Sequence, residues 1–356
     1  MSRLTPDHIM KTIDLTNQLE ANIRARQLRP GDSFFTVREA SDFLDVAGMY
    51  ANQALQLLEK RQIIRRRQSM RATIVEPQLR KETPFSHIYL FISELYYRYE
   101  GHAGEPLVRG LQEKFHGVTV SYCLLSSSLD TERALKTIQE VLVAESEAGF
   151  VLLSTSFAIQ QIFSKSCLPV VIHGTPYSAI TNIPNLERDY QAATKQIADW
   201  LRSRGRTRWA VLMRNIMHPG DHLALDLMRS QKEVNNDLPI LFTGMEPEEI
   251  SAQTETLFAG KKPPDAIICT SLLQAKAVEE CLRAHNFAPY RDIDIVVRIY
   301  HQPDKENALY THIELDIPLR NIGRKIANLL DRARSGGAIE SELLPVKLYH
   351  TYRETE

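Results

Sequence analysis

"ERDYQAATKQIADWLRSRGRTRWAVL", Glu187 to Leu212, holds the two patterns that decide the fold. Tyr190–Arg204 is an amphipathic helical segment, and the apolar run opening at Arg208 reads as a buried strand, with Gly205 between them. The same alternation extends in both directions. Upstream, candidate strands Ile88–Ile92, Val118–Leu124, Gly149–Leu153 and Leu168–Ile172 alternate with helical Pro106–Phe115 and Thr131–Ala144. Downstream, strands Arg208–Met213, Pro239–Thr243, Ala266–Thr270, Asp294–Arg298 and Leu309–Leu315 alternate with helical Leu223–Val234, Glu248–Ala259, Leu272–His285 and Leu319–Ala333. Apolar strands interleaved with amphipathic helices predict parallel sheets covered on both faces. The number of strands suits two sheets better than one, with a ligand cleft at the carboxyl ends of the strands.

The N-terminal region reads differently. A first helix is expected over Pro6–Arg26, with proline well placed at its start. The turn "LRPGD" (Leu28–Asp32) ends it. A second helix starts after Thr36, where "TVRE" forms a capping box with Glu39. "DVAGMYANQALQLL" (Asp45–Leu58) supplies a third, and "QIIRRRQSMRATIVEP" gives two short strands, Ile63–Arg66 and Ala72–Val75, around a basic turn. Three helices followed by a basic strand pair predict a winged helix-turn-helix, its third helix in the major groove and its wing along the backbone or minor groove. The polar, proline-containing "EPQLRKETPF" (Glu76–Phe85) then reads as a linker. The expected organisation is a head over residues 1–76, a linker over 77–85 and an α/β body over 86–356.

The 356 residues carry 43 Lys/Arg and 44 Asp/Glu, but residues 1–80 hold 13 basic against 9 acidic side chains, a surplus of 4. A mildly basic head on an acidic body is compatible with nucleic-acid binding by the head. No apolar run is long enough to span a membrane. The opening "MSRLTPDHIMKTIDL" lacks the signal-peptide pattern, so the expected location is cytoplasmic. Cys123, Cys167, Cys269 and Cys281 lie far apart without a CxxC and read as free thiols. None of the common nucleotide-binding, nucleophile or zinc motifs occurs. His218 and His222 stand four apart without a nearby third ligand, and the serines of "LLSSSLD" (Leu124–Asp130) read as a turn. No enzyme activity, cofactor or metal is expected.

"RPGDSFFTVREASDFLDVAGMYANQALQLLEKRQIIRRRQSMRATIV" (Arg29–Val75) resembles the head of the GntR family of bacterial regulators. Pro30, Gly31 and Asp32 match that family's PGD, Arg38 and Glu39 its RE pair, Ala54, Leu55 and Leu58 its helix core, and Thr73 and Val75 the end of its wing. The departures lie on the reading surface: Ala47 and Gly48 replace Ser-Arg, Tyr50 replaces Thr, and Met70 and Ala72 replace the wing glycines. An arginine lost there removes a phosphate or guanine contact. The candidate DNA contacts are Arg38, Gly48, Tyr50, Asn52 and Gln53, with Arg65, Arg66, Arg67 and Arg71 for the wing.

The body, from about Ser86 to Tyr352, resembles the effector domain of LacI/GalR-type regulators, a two-lobed periplasmic-binding-protein-like fold. "SHIYLFISE" corresponds to its first strand, "LVRGLQEKF" to a helix with a buried glycine at Gly110, and "LPVVIHG" (Leu168–Gly174) to the strand crossing the cleft. Glu187–Leu212 is the closest match, with Asp189 in the family's Asp-Asn cap position and Gly205 in its Leu-Gly-His turn. "PPDAIICTSLLQAKAVEECLRAHNF" and "DIDIVVRIYHQPD" continue the register. By that register, the residues usual for sugar binding are replaced: His222 stands at the arginine clamp, Ser271-Leu272 at the Asn-Asp pair and Tyr300 at a later Asp. Glu94, Tyr96, Ser154, His173 and Glu314 or Asp316 are the other candidate effector contacts. The resemblances imply a homodimeric transcriptional repressor that binds double-stranded operator DNA under control of a small effector, a carbohydrate or related metabolite. The alternative is a ligand-binding or protein-interaction module that has lost specific DNA recognition.

Overall fold

The computed structural model describes residues 6–60, 63–67, 70–75, 85–94, 97, 104–125, 130–144, 147–166, 168–231, 238–244, 246–259, 262–299, 310–335 and 339–350. Most of the expected linker, Ser126–Ser128, Cys167, Tyr96 and Tyr300 lie outside these residues.

Helices α1 (Pro6–Ala25), α2 (Val37–Leu44) and α3 (Gly48–Lys60) pack with a ribbon of β1 (Ile64–Arg65) and β2 (Thr73–Ile74). The ribbon is antiparallel, with Ile64 opposite Ile74. This is the arrangement of a winged helix-turn-helix. Thr36 closes the capping box of α2: its Oγ1 accepts from the Glu39 N–H at 3.2 Å, and its own N–H donates to Glu39 Oε2 at 2.8 Å. Leu19, Phe34, Ala51, Ala54, Leu55 and Leu58 form a fully buried core. The apolar positions along α1 and α3 thus face one another, and the opposite side of α3 is left for contact.

The body comprises β3 (His87–Ser93), α4 (Glu105–Lys114), β4 (Thr119–Leu125), α5 (Asp130–Ala144), β5 (Ala148–Leu153), α6 (Phe157–Ser166), β6 (Val170–His173), β7 (Asn185–Arg188) and α7 (Tyr190–Ser203). It continues through β8 (Trp209–Arg214), α8 (Pro219–Arg229), β9 (Ile240–Thr243), α9 (Pro247–Glu255), β10 (Ala266–Cys269), α10 (Leu272–Ala284) and β11 (Asp294–Val297). The last elements are β12 (Thr311–Leu315), α11 (Leu319–Arg334), β13 (Ser341–Leu344) and β14 (Val346–Tyr349). Two six-stranded sheets result, in the orders β13-β7-β6-β5-β3-β4 and β14-β12-β11-β10-β8-β9. Every described pairing in them is parallel except β12 with β14. The strands β5, β8, β10 and β11 are buried on both faces, as the continuous apolar runs require.

Among the described residues the chain passes between the two lobes three times: after β7, between β12 and α11, and between β13 and β14. Strands β7, β13 and β14 were not among the expected elements. Each is four residues long and none is a continuous apolar run, so periodicity alone gives too little signal. They matter because the passages beside them floor the cleft.

In the first lobe, α4 and α11 cross at two glycines. A Cβ built on Gly110 falls 2.1 Å from the Arg320 carbonyl oxygen and 2.9 Å from the Gly323 Cα. Backbone stands in the way, so the helices must move apart. Gly110→Ala is expected to cost about 1–3 kcal/mol in urea unfolding by overpacking this contact; an unchanged midpoint would contradict the close approach.

Three of the cysteines are described, all as free thiols. Burial pushes those of Cys123 and Cys281 up to about 11, which leaves them poor nucleophiles at neutral pH.

Candidate functional site

Between the lobes lies a cavity of about 70 Å³, where the carboxyl ends of β5, β6 and β8 meet the interlobe passages and the start of α8. Ordinary ligand pockets span roughly 300–1,000 Å³, so the space between the lobes is small. The first lobe contributes Ser154, Thr155, Gln160, His173 and Thr175; Arg188 and Tyr190 come from the first passage, and Arg214, His218 and Asp221 from the second lobe. Ser154 has φ 48°. This left-handed conformation costs a residue with a Cβ about 1–2 kcal/mol, and it turns the chain sharply from β5 into the cleft. Gly220 is required for closeness rather than torsion. A Cβ there would lie 2.2 Å from the Tyr190 hydroxyl, so its absence lets α8 seat against the passage.

The electrostatic centre is Asp221, 4% exposed. Its Oδ1 accepts from Arg298 Nη2 at 2.9 Å and lies 3.9 Å from Arg214 Nη2, while its Oδ2 accepts from the His218 N–H at 3.2 Å. Burial by itself would raise the carboxyl pKa, but Arg214, Arg298 and the His218 N–H outweigh it and hold Asp221 below the ordinary carboxylate value. Arg188 Nη1 donates to the Arg298 carbonyl oxygen at 2.9 Å, tying the first passage to the second lobe.

Of the residues expected to touch an effector, Ser154 and His173 line this cavity. His222 does not; it is exposed on α8, one position beyond Asp221. Ser271 is occupied in structure, its Oγ accepting from the Gln274 N–H at 3.3 Å to cap α10. Glu94 follows β3 and is not among the lining residues. Glu314 is buried 3.2 Å from His312 Nε2, and Asp316 is exposed. Sequence reasoning missed Arg188, Arg214, Asp221 and Arg298. A signal existed: "WAVLMR" and "DIVVR" each end an apolar strand run in arginine, and these strands flank β10 in one sheet.

In the head, Gly48 and Met49 are exposed at the start of α3 and Asn52 is half-buried, with Gln56 exposed one turn on. Tyr50 and Gln53, expected on the DNA side, turn instead to α1: Lys11 Nζ lies 4.6 Å from the Tyr50 ring centre, and Thr12 Oγ1 donates to Gln53 Oε1 at 3.2 Å. Asn52 Oδ1 accepts from Arg66 Nη2 at 2.7 Å, joining the third helix to the ribbon. Arg71 pairs with Glu39 and Arg38 is exposed. Arg65, Arg67 and Arg71 line a groove with Met70 and Thr73 along the ribbon.

No protein-family model and no curated protein matches the chain. Solved structures do. The fold is that of LacI-family regulators. The transcriptional regulator CelR in complex with cellobiose superposes with a TM-score of 0.63 at 16% identity, covering 89% of this chain and 99% of that one. The lac repressor dimer bound to operator and the anti-inducer ONPF gives 0.61 at 18% identity over 75% of this chain and 93% of that one. A regulatory protein of the LacI family from Chloroflexus aggregans also gives 0.61 at 18%, over 74% and 96%. At these identities the likeness is one of fold. No helix among the described residues is long and apolar enough to cross a membrane.

Proposed function

We propose that this chain is a DNA-binding transcriptional regulator whose operator affinity is set by a small molecule in the interlobe cleft. The observation that carries the reading is a direct link between the two sites. Gln160 of α6 lines the cavity, and the Lys165 carbonyl at the far end of α6 accepts from Asn17 Nδ2 of α1 at 3.3 Å. Leu57 of α3 joins the apolar cluster of the first lobe that includes Ile159 and Phe163. One short helix thus touches ligand space at one point and the head at another. The neighbours bound to operator or to cellobiose fit such a role. We read the head as GntR-type, the working unit as a cytoplasmic homodimer that represses, and the chain as having no enzyme activity.

The test is DNA capture from the surrounding genome followed by titration at about 150 mM salt, where a specific regulator exceeds random DNA by about 10³ or more. Asn17→Ala is expected to leave affinity for the captured fragment within about threefold and to reduce its response to effector. An unchanged response would remove α6 from the route. A second reading, a ligand-binding module without specific DNA recognition, is favoured by the engagement of Tyr50 and Gln53 with α1. Equal weak binding to captured and random DNA would support it over the regulator.

A further inference from the structure

The cleft is lined by two guanidiniums against one carboxylate, which bears on what it holds. Arg188 and Arg214 line it, with Ser154, Thr155, Thr175, His173 and His218 around them. Its one lining carboxylate among the described residues, Asp221, is engaged by Arg298 and by the His218 N–H at the start of α8. Glu187 and Asp189 flank Arg188 in sequence but do not line the cavity, and Asp189 Oδ1 is taken by the Ala192 N–H at 2.8 Å as the cap of α7. Behind Asp221, Arg298 is 4% exposed, yet its Nε and Nη1 have no hydrogen-bond partner. Thr155 Oγ1, in the cavity wall, is buried and unpartnered as well. Arg298 does not itself line the cavity, but it adds a third buried positive charge beside the single carboxylate. A neutral sugar brings no charge to this cleft; two lining guanidiniums whose one neighbouring carboxylate is already engaged are better matched by an oxyanion.

We propose that the cleft binds a small organic anion, through a carboxylate or phosphate group held between Arg188 on the interlobe passage and Arg214 on the second lobe. This rests on the cleft being an effector site but assigns the ligand a chemical class. Guanidinium forks suit the oxyanions of both groups, and clamping one from both sides draws the lobes together. The small free volume fits a compact group such as this. A disaccharide would need the lobes to open.

The test is thermal melting and calorimetric titration of the full chain with inorganic phosphate, glucose 6-phosphate and citrate, against glucose and cellobiose at matched ionic strength. At least one anion is expected to raise Tm by about 5 °C near one hundred times its Kd, with no shift from either neutral sugar. Phosphate and glucose 6-phosphate acting without citrate would assign a phosphate group, and citrate alone a carboxylate. Arg188→Gln, a half-buried position, is expected to weaken that anion at least tenfold without a change of fold by circular dichroism, and Arg214→Gln to do the same. The inference is overturned if no anion binds, if glucose or cellobiose shifts Tm as far as the anions, or if anion affinity survives both substitutions. Failure of the regulator reading looks different: the anion binds, but affinity for captured DNA does not change.

Discussion

Asp221→Ala is expected to lower stability by about 3–5 kcal/mol, because it leaves two buried guanidiniums facing each other without the carboxylate between them. Arg214 and Arg298 are 7% and 4% exposed, so water does little to screen them. The same residue accepts from the His218 N–H at the start of α8, so that end of the helix loosens as well. The effect has a pH signature. Asp221 is held below its ordinary pKa in the folded state, so its contribution is fully present above the unfolded value near 4 and is lost as pH falls through the lower folded value. The native chain is therefore expected to lose stability below about pH 4 more steeply than Asp221→Ala, as read by urea midpoints at successive pH values. Parallel curves would show that Asp221 is not the anion of this cluster. Asp221→Asn removes the charge and keeps the shape, and on the anion reading of the cleft it strengthens anion binding even as it weakens the fold.

Much of the architecture was legible because burial on both faces writes itself into the sequence as uninterrupted apolar runs. "AGFVLL" and "WAVLMR" leave little choice but inner strands of a parallel sheet, and the helix of Glu187–Leu212 lies where its amphipathic pattern put it, over Tyr190–Ser203. The short β7, β13 and β14 were silent: each has four residues, and β13 and β14 mix exposed, half-buried and buried positions, too few to establish a period. The cleft was legible as a place and less so as a set of side chains. Ser154 and His173 follow from being at strand ends. Arg214 and Arg298 are strand-end residues too, but a terminal arginine ordinarily points to water, and only the tertiary pairing with Asp221 turns it inward. In the head, helical spacing located α3 but not its rotation. The position of α1, set by Leu15, Leu19 and Ile23, decides that Tyr50 and Gln53 face it and that Gly48, Met49 and Gln56 face out.

On the proposed regulator reading, that rotation leaves the basic ribbon as the main source of DNA affinity. Replacing Arg65, Arg67 and Arg71 together by alanine is expected to weaken DNA binding about 100-fold near 150 mM salt and to reduce the slope of log affinity against log salt by up to about three, since each phosphate contact contributes roughly 0.9. All three side chains are exposed along one groove beside β2, and none belongs to the head's apolar core, so the helices remain folded. The loss falls on every sequence alike, because phosphates carry no base information. Arg38→Ala, one contact of the same kind at the start of α2, is expected to act in the same direction with about a third of the slope change. Gln56→Ala on the outward side of α3 has the opposite profile: random DNA binds as before and the preferred fragment is weakened by about 1–3 kcal/mol, the scale of one base contact. A triple variant whose salt slope equals that of the native chain would take the ribbon off the DNA and leave α3 to carry binding alone.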